Sequence, residues 1–158
     1  MRGTLKLLWL LGCFFVLASL PARSDSYCNV NTPALAFGTY DSLGSGSRDT
    51  IGSITVTCTG NTGDTVSYSI ALDITGLHGG YRIMTSAGHP LNYLVCADNA
   101  YTQVWGDGSG GSIVVSDSYR LTAHSNSRSY PVYGRIPAGQ TQATVGAYTS
   151  NITVTLTY

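Results

Sequence analysis

The feature that most limits what this chain can fold into is an apolar period of two, repeated in segment after segment. Ile54, Val56 and Cys58 alternate with Ser53, Thr55 and Thr57. Val66, Tyr68, Ile70 and Leu72 alternate with Ser67, Ser69, Ala71 and Asp73, and Ile152, Val154, Leu156 and Tyr158 with Asn151, Thr153, Thr155 and Thr157. Side chains point to opposite faces at successive positions of a strand, so each segment reads as a strand with one buried face and one hydroxyl-rich face. Shorter runs at Ala34–Tyr40, Tyr81–Met84, Leu91–Cys96, Thr102–Trp105, Ile113–Val115 and Ser129–Ile136 read as further strands.

Between them lie Gly44-Ser45-Gly46-Ser47, Gly60-Asn61-Thr62-Gly63-Asp64, Gly79-Gly80, Gly106–Ser112 and Pro137-Ala138-Gly139-Gln140. These are turns, because Gly takes positive φ at no steric cost and Asn and Asp bond their own backbone. Composition points the same way: all 8 acidic residues are Asp and Lys6 is the single lysine, so two good helix formers are nearly absent. Seven or so short strands with regular turns predict an all-β protein, a β-sandwich in one domain.

The first two dozen residues stand apart. Arg2 and Lys6 precede the apolar run Leu7–Leu20, and small residues follow at Ala22 and Ser24. This is the pattern of a signal peptide at residues 1–22, with cleavage after Ser24 as the alternative, leaving residues 23–158 as the mature domain. Leu10-Leu11-Gly12-Cys13 loosely resembles a lipobox, but Cys13 lies inside the apolar run instead of at its end. No later stretch is apolar enough to span a membrane, so the product is expected to be exported and then secreted or assembled at the cell surface. Removing Arg2 and Lys6 from the 8 basic residues leaves 6 against 8 acidic ones, too weak and too negative a field for nucleic acid.

Cys28, Cys58 and Cys96 remain in the mature chain. An oxidising compartment favours one disulfide and one thiol left over, though cysteine order alone does not choose the pair. Catalytic and metal chemistry find no constellation. His78, His89 and His124 lack ligand spacing, each Asp sits among turn residues, and Gly106–Ser112 lacks the lysine of a phosphate loop. No cofactor is expected. Tyr101, Tyr119 and Tyr130 flank turns and are candidates for a binding surface, with core filling as the simpler role.

The last strand runs to Tyr158, which leaves its far edge with nothing to pair it. An apolar edge that is neither covered nor charged is a liability, and the expectation is that another chain covers it.

Several landmarks occur together and in order: Cys28 with Phe37-Gly38-Thr39-Tyr40-Asp41; Gly52–Thr59 (GSITVTCT); Arg82 with Met84; Leu91-Asn92-Tyr93; Val104-Trp105-Gly106-Asp107-Gly108; Val132–Gln140 (VYGRIPAGQ); and Gly146-Ala147-Tyr148 leading to Val154–Tyr158. In these the chain resembles the spore coat protein U domain family of archaic chaperone–usher pilus subunits, over essentially all of residues 28–158. The resemblance implies an immunoglobulin-like sandwich lacking its final strand. A periplasmic chaperone would fill the gap first and a neighbouring subunit's N-terminal extension would replace it, by β-strand addition at an usher. It also implies a Cys28–Cys58 disulfide and a donor-accepting edge formed by Ile152, Val154, Leu156 and Tyr158.

Two departures matter. Only Arg23-Ser24-Asp25-Ser26-Tyr27 would precede Cys28 after cleavage. Five residues reach roughly 17 Å at about 3.3–3.4 Å each, with Tyr27 the one apolar side chain, so the chain is expected to accept a donor strand without giving one. That places it at the distal tip of a pilus, serving adhesion or biofilm formation on a host or abiotic surface. Cys96 stands where the family usually has an aromatic or aliphatic residue; it reads as a buried small hydrophobe, with an intermolecular disulfide as the sharper alternative. Rival functions are a secreted spore-coat or matrix structural protein, and a carbohydrate-binding surface module. N-terminal sequencing of the exported protein is expected to begin at Arg23 or Asp25; a lipidated Cys13 as first residue would overturn the assignment of the leader.

Overall fold

A computed structural model describes residues 26–158, so the leader and Cys13 lie outside the described residues. Eight strands follow in order: β1 (Tyr27–Asn31), β2 (Arg48–Thr59), β3 (Thr65–Leu72), β4 (Arg82–Ser86), β5 (His89–Cys96), β6 (Val115–Arg120), β7 (Ser125–Ile136) and β8 (Val154–Thr157). They form a five-stranded sheet, β1-β2-β7-β5-β4, and a three-stranded sheet, β6-β3-β8. Every strand pairing is antiparallel. No helix occurs among the described residues, and none is therefore long and apolar enough to cross a membrane.

The longest pairing joins β2 to β7, from Arg48 opposite Ile136 to Thr59 opposite Ser125. Its inner face carries Ile54, Val56, Cys58, Val132 and Ile136, all buried. Its outer face carries hydroxyls that bond across the strands, Thr55 to Ser129 at 2.9 Å and Thr57 to Ser127 at 2.8 Å. Across the core, β3 contributes Val66, Tyr68, Ile70 and Leu72. The alternation in the sequence thus resolves into two sheets that bury their apolar faces against each other.

Two side chains tie the layers together. Trp105 is fully buried and its indole N–H donates to the Ile70 carbonyl at 2.9 Å. Arg82, 3% exposed, donates from Nη2 to the Trp105 carbonyl at 3.0 Å and from Nη1 to the Asp73 carbonyl. Burial depresses the Arg82 pKa, and its Nε has no protein partner. Two backbone carbonyls therefore do the work that a carboxylate would do for a buried cation.

Cys28 and Cys58 face each other in the β1–β2 register and are disulfide-bonded, as the resemblance implies. The bond closes a sequence separation of 30, worth roughly 3–4 kcal/mol in the chain-entropy account. Cys96 is the free cysteine among the described residues, completely buried, and burial pushes its thiol up to about 11.

Several strand boundaries differ from the sequence reading. Tyr81–Met84 becomes Arg82–Ser86, closed by a two-residue hairpin in which both Ala87 and Gly88 have positive φ. Of Ile113–Val115 only Val115 enters a strand, as the first residue of β6, while Ile113 and the segment Thr102–Trp105 form only isolated bridges. The last strand shortens to Val154–Thr157, because Thr149 is drawn to the opposite sheet, where it exchanges backbone hydrogen bonds with Thr85. β1 escaped the periodicity because two of its five residues are Asn, a poor strand former.

Ala34–Tyr40 is the most informative departure: it is not a strand. Pro33 breaks any ladder, and the following residues pass over the inner face of the larger sheet. There Leu35 and Phe37 sit against Gly134, with Leu35 also over Gly52. Side chains of β2 satisfy the segment's carbonyls: Thr50 Oγ1 donates to Ala36 at 2.8 Å and Arg48 Nε to Phe37 at 2.7 Å. Gly38 turns the chain away at a φ of 71°.

Two outcomes are expected. Gly134→Ala would place a Cβ 2.8 Å from Leu35 and 2.9 Å from the Phe37 ring, so thermal or urea unfolding should show a loss of about 1–3 kcal/mol; a neutral change would mean that the 33–37 segment does not lie there. For Cys96, an ordinary thiol ionises near about 8.5, so the raised folded value keeps it neutral at pH 8. Maleimide at that pH should label the protein only after denaturation, and a nonreducing gel should show monomer. As pH rises from the unfolded thiol value toward 11, this group costs stability. A dimer abolished by Cys96→Ser would contradict the buried thiol.

Candidate strand-accepting groove

The inward turn of the chain after β1 has a consequence for the edge of the sandwich. β1 pairs on one side only, with β2, and β8 on one side only, with β3. Residues 32–37 form one wall of a groove of about 460 Å³ and residues 148–154 the other, with the sandwich core as its floor. The floor is Ile54, Leu72, Met84, Tyr93, Val95 and Val132. Each belongs to the buried cluster between the sheets, so the groove opens directly into the core. An apolar floor lying beneath an unpaired strand edge can take up an extended peptide: main-chain groups bond the edge while alternate side chains pack on the floor.

Of the four residues expected to form the acceptor edge, Ile152 and Val154 line this groove. Leu156 packs against the same core but outside the groove, and Tyr158 is 62% exposed. The structure therefore brings two of the four together and sets two apart. The opposite wall, carrying Ala34, Leu35 and Phe37, was missed as a wall because its alternation reads as a strand. A signal was present in Gly52 and Gly134, small residues at core-facing positions of long strands, where another segment approaches closely.

The remaining candidates fall elsewhere. Tyr119 and Tyr130 join a network between the sheets: Tyr130 donates to Asp117, Tyr68 meets Tyr130 at 2.6 Å, and Arg128 pairs with Asp117 at 2.8 Å. Because Tyr130 spends its proton on Asp117, Tyr68 is the donor between the two phenols. The Tyr130 bond, followed by Arg128, holds the Asp117 carboxyl below its usual range, while burial and then Asp117 push Tyr130 up. Tyr101 lies on the outer face of the five-stranded sheet, its ring over the Arg135 guanidinium at 3.7 Å. Asp73, Asp98 and Asp107 accept backbone N–H groups of nearby turn residues, which lowers each carboxyl. His78, His89 and His124 are all exposed, and no cluster of metal-binding side chains occurs among the described residues.

The groove takes on meaning beside known proteins. The Spore Coat Protein U domain profile matches residues 14–155. No curated protein matches the chain. Among solved structures, a similar one is the crystal structure of the CsuC–CsuE chaperone–tip adhesion subunit pre-assembly complex from archaic chaperone–usher Csu pili of Acinetobacter baumannii. The likeness has a TM-score of 0.56 at 18% identity, over 84% of this chain and 40% of that one. This chain thus spans about two fifths of its relative, and what the two share is the fold. A profile that runs through both walls of the groove and its floor is decisive for the family: the chain belongs to the Spore Coat Protein U domain family.

Proposed function

We propose that this protein is an exported structural subunit of an archaic chaperone–usher pilus. In this reading the groove between residues 32–37 and 148–154 accepts a strand, first from a periplasmic chaperone and then from a neighbouring subunit as the usher assembles the fibre. The observation that carries the reading is the groove itself: an open seam whose floor is the hydrophobic core and whose wall holds Ile152 and Val154 at alternate positions. The solved relative is a chaperone–subunit complex, which supports the same direction.

A distal, adhesive position is the finer part of the proposal. The five residues Arg23–Tyr27 offer one apolar side chain, so cleavage after Ala22 would leave a subunit that accepts a strand and lacks one to donate. Export through the periplasm fits the Cys28–Cys58 disulfide.

Co-expression in the periplasm with the pilus chaperone of the same genome, followed by pull-down, tests the reading. A stoichiometric complex is expected, with the subunit alone aggregated or degraded. Val154→Asp should abolish the complex, because an ionised carboxylate would enter the apolar groove. Thr153→Asp, on the exposed face of the same segment, should leave it intact. A normal complex from Val154→Asp, or a stable lone monomer that ignores the chaperone, would overturn the assignment.

A further inference from the structure

The two outer faces of the sandwich share one pattern and differ in one respect. On the five-stranded sheet, Thr55 and Thr57 of β2 lie between Ser129 and Ser127 of β7 on one side and Asn31 and Asn29 of β1 on the other. Six side chains that both donate and accept hydrogen bonds thus stand in two rows, without an ionised group among them. The three-stranded sheet has a similar ladder, with Ser67 bonded to Ser118 at 2.7 Å.

The difference is an aromatic and aliphatic platform at one end of the larger face. Ile51 is 69% exposed and stands opposite Tyr133. The half-buried Tyr101 ring lies over Arg135 and meets Tyr133 edge-on, with centroids 6.5 Å apart. Arg135 is held in turn by Asp49 through two hydrogen bonds of 2.7 and 2.6 Å. The charges cancel, and the Arg135 bond keeps the Asp49 carboxyl below its usual range. Tyr101 has a φ of 58°, a conformation uncommon outside Gly and Asn. The turn that presents it is clamped by Asp98, which accepts the N–H groups of Thr102 and Gln103. The ring is therefore fixed before any ligand arrives, at the cost of local strain.

The geometry points to this face as a binding surface for an extended, neutral polysaccharide. Sugar rings present C–H faces that stack on an aromatic platform and hydroxyl edges that exchange hydrogen bonds with Ser, Thr and Asn. Nucleic acid needs unpaired cations, and Arg135 is neutralised. A protein partner would want an apolar centre with a polar rim, whereas here the apolar platform lies at one end of a polar strip. The core-facing positions of β2 and β7 line the strand-accepting groove, so this surface lies on the other side of the sheet and its function does not rest on the pilus reading.

The test is a pull-down of the full exported chain, alone or with its chaperone, on microcrystalline cellulose and on chitin. Retention on at least one and release by the corresponding soluble oligosaccharide are expected. Tyr101→Ala should weaken retention about tenfold, while Tyr101→Phe should keep it. The paired change Thr55→Val and Ser129→Ala removes two exposed hydroxyls without touching the core and should weaken retention severalfold. Ser67→Ala with Ser118→Ala, on the other sheet, should leave retention unchanged. Absence of retention on both polysaccharides would overturn the proposal, as would retention indifferent to the β2–β7 pair. If Tyr101→Ala does not fold, that pair decides the question by itself.

Discussion

Twelve residues of β2 meet twelve of β7, and because side chains alternate across the ladder, the face of every residue in both strands is fixed together. A slip by one position would carry Ile54, Val56 and Cys58 to solvent and bring Thr55 and Thr57 into the core. The rest of the molecule is hung from this register. β1 is held at its edge by the Cys28–Cys58 bond, β5 continues the sheet on the other side, and the outer hydroxyl rows exist only because the inner positions are apolar. Ladder and disulfide act on different parts of the problem. The ladder chooses faces, and the covalent bond ties the five-residue edge strand β1 to β2 beyond its backbone pairing.

Position along this ladder also shapes the open seam. Gly52 and Gly134 face the core where large residues would be expected, and the space they leave is taken by Leu35 and Phe37 from a segment that is not a strand. One wall of the groove therefore depends on two missing side chains. The other wall depends on the path of residues 149–157, which touch the five-stranded sheet through Thr149 and reach the three-stranded sheet only from Val154 onward. Between these walls the core is covered by no strand among the described residues. A sandwich whose seam opens onto its own floor is poorly protected against aggregation, which is why a strand from another chain is the natural complement in the proposed function.

Among the described residues charges are few and each is answered locally. Asp49 with Arg135, and Asp117 with Arg128 and Tyr130, form compact groups at the margins of the sheets, and buried Arg82 is held by carbonyls. Surface pairs of this kind contribute little to stability. Their effect is positional: the first orients Tyr101 over the outer face, and the second seals the corner between β6 and β7 with phenols and a carboxylate. Similar residues, tyrosines flanking turns, thus serve as platform in one place and as internal filling in the other.

The sequence by itself determined the class and the grain of the protein. Period-two alternation with hydroxyls between, and turn residues in place of helix formers, admit a sandwich and exclude a helical bundle. The same alternation marked Ile152 and Val154 as facing inward. The pairing of Cys28 with Cys58 was not legible from cysteine order and came through the resemblance. Tertiary structure alone decided the opposite wall, because alternation reports which residues share a face but not whether a neighbouring strand exists to pair with them. Ala34–Tyr40 alternates like a strand, yet Pro33 and the two glycines beneath it make crossing the core more favourable than joining a ladder. Tyr101 likewise became a platform only when its turn was folded over Arg135, 34 positions further along the chain. Contacts between residues so far apart follow from how the sheets close on each other, which no local pattern records.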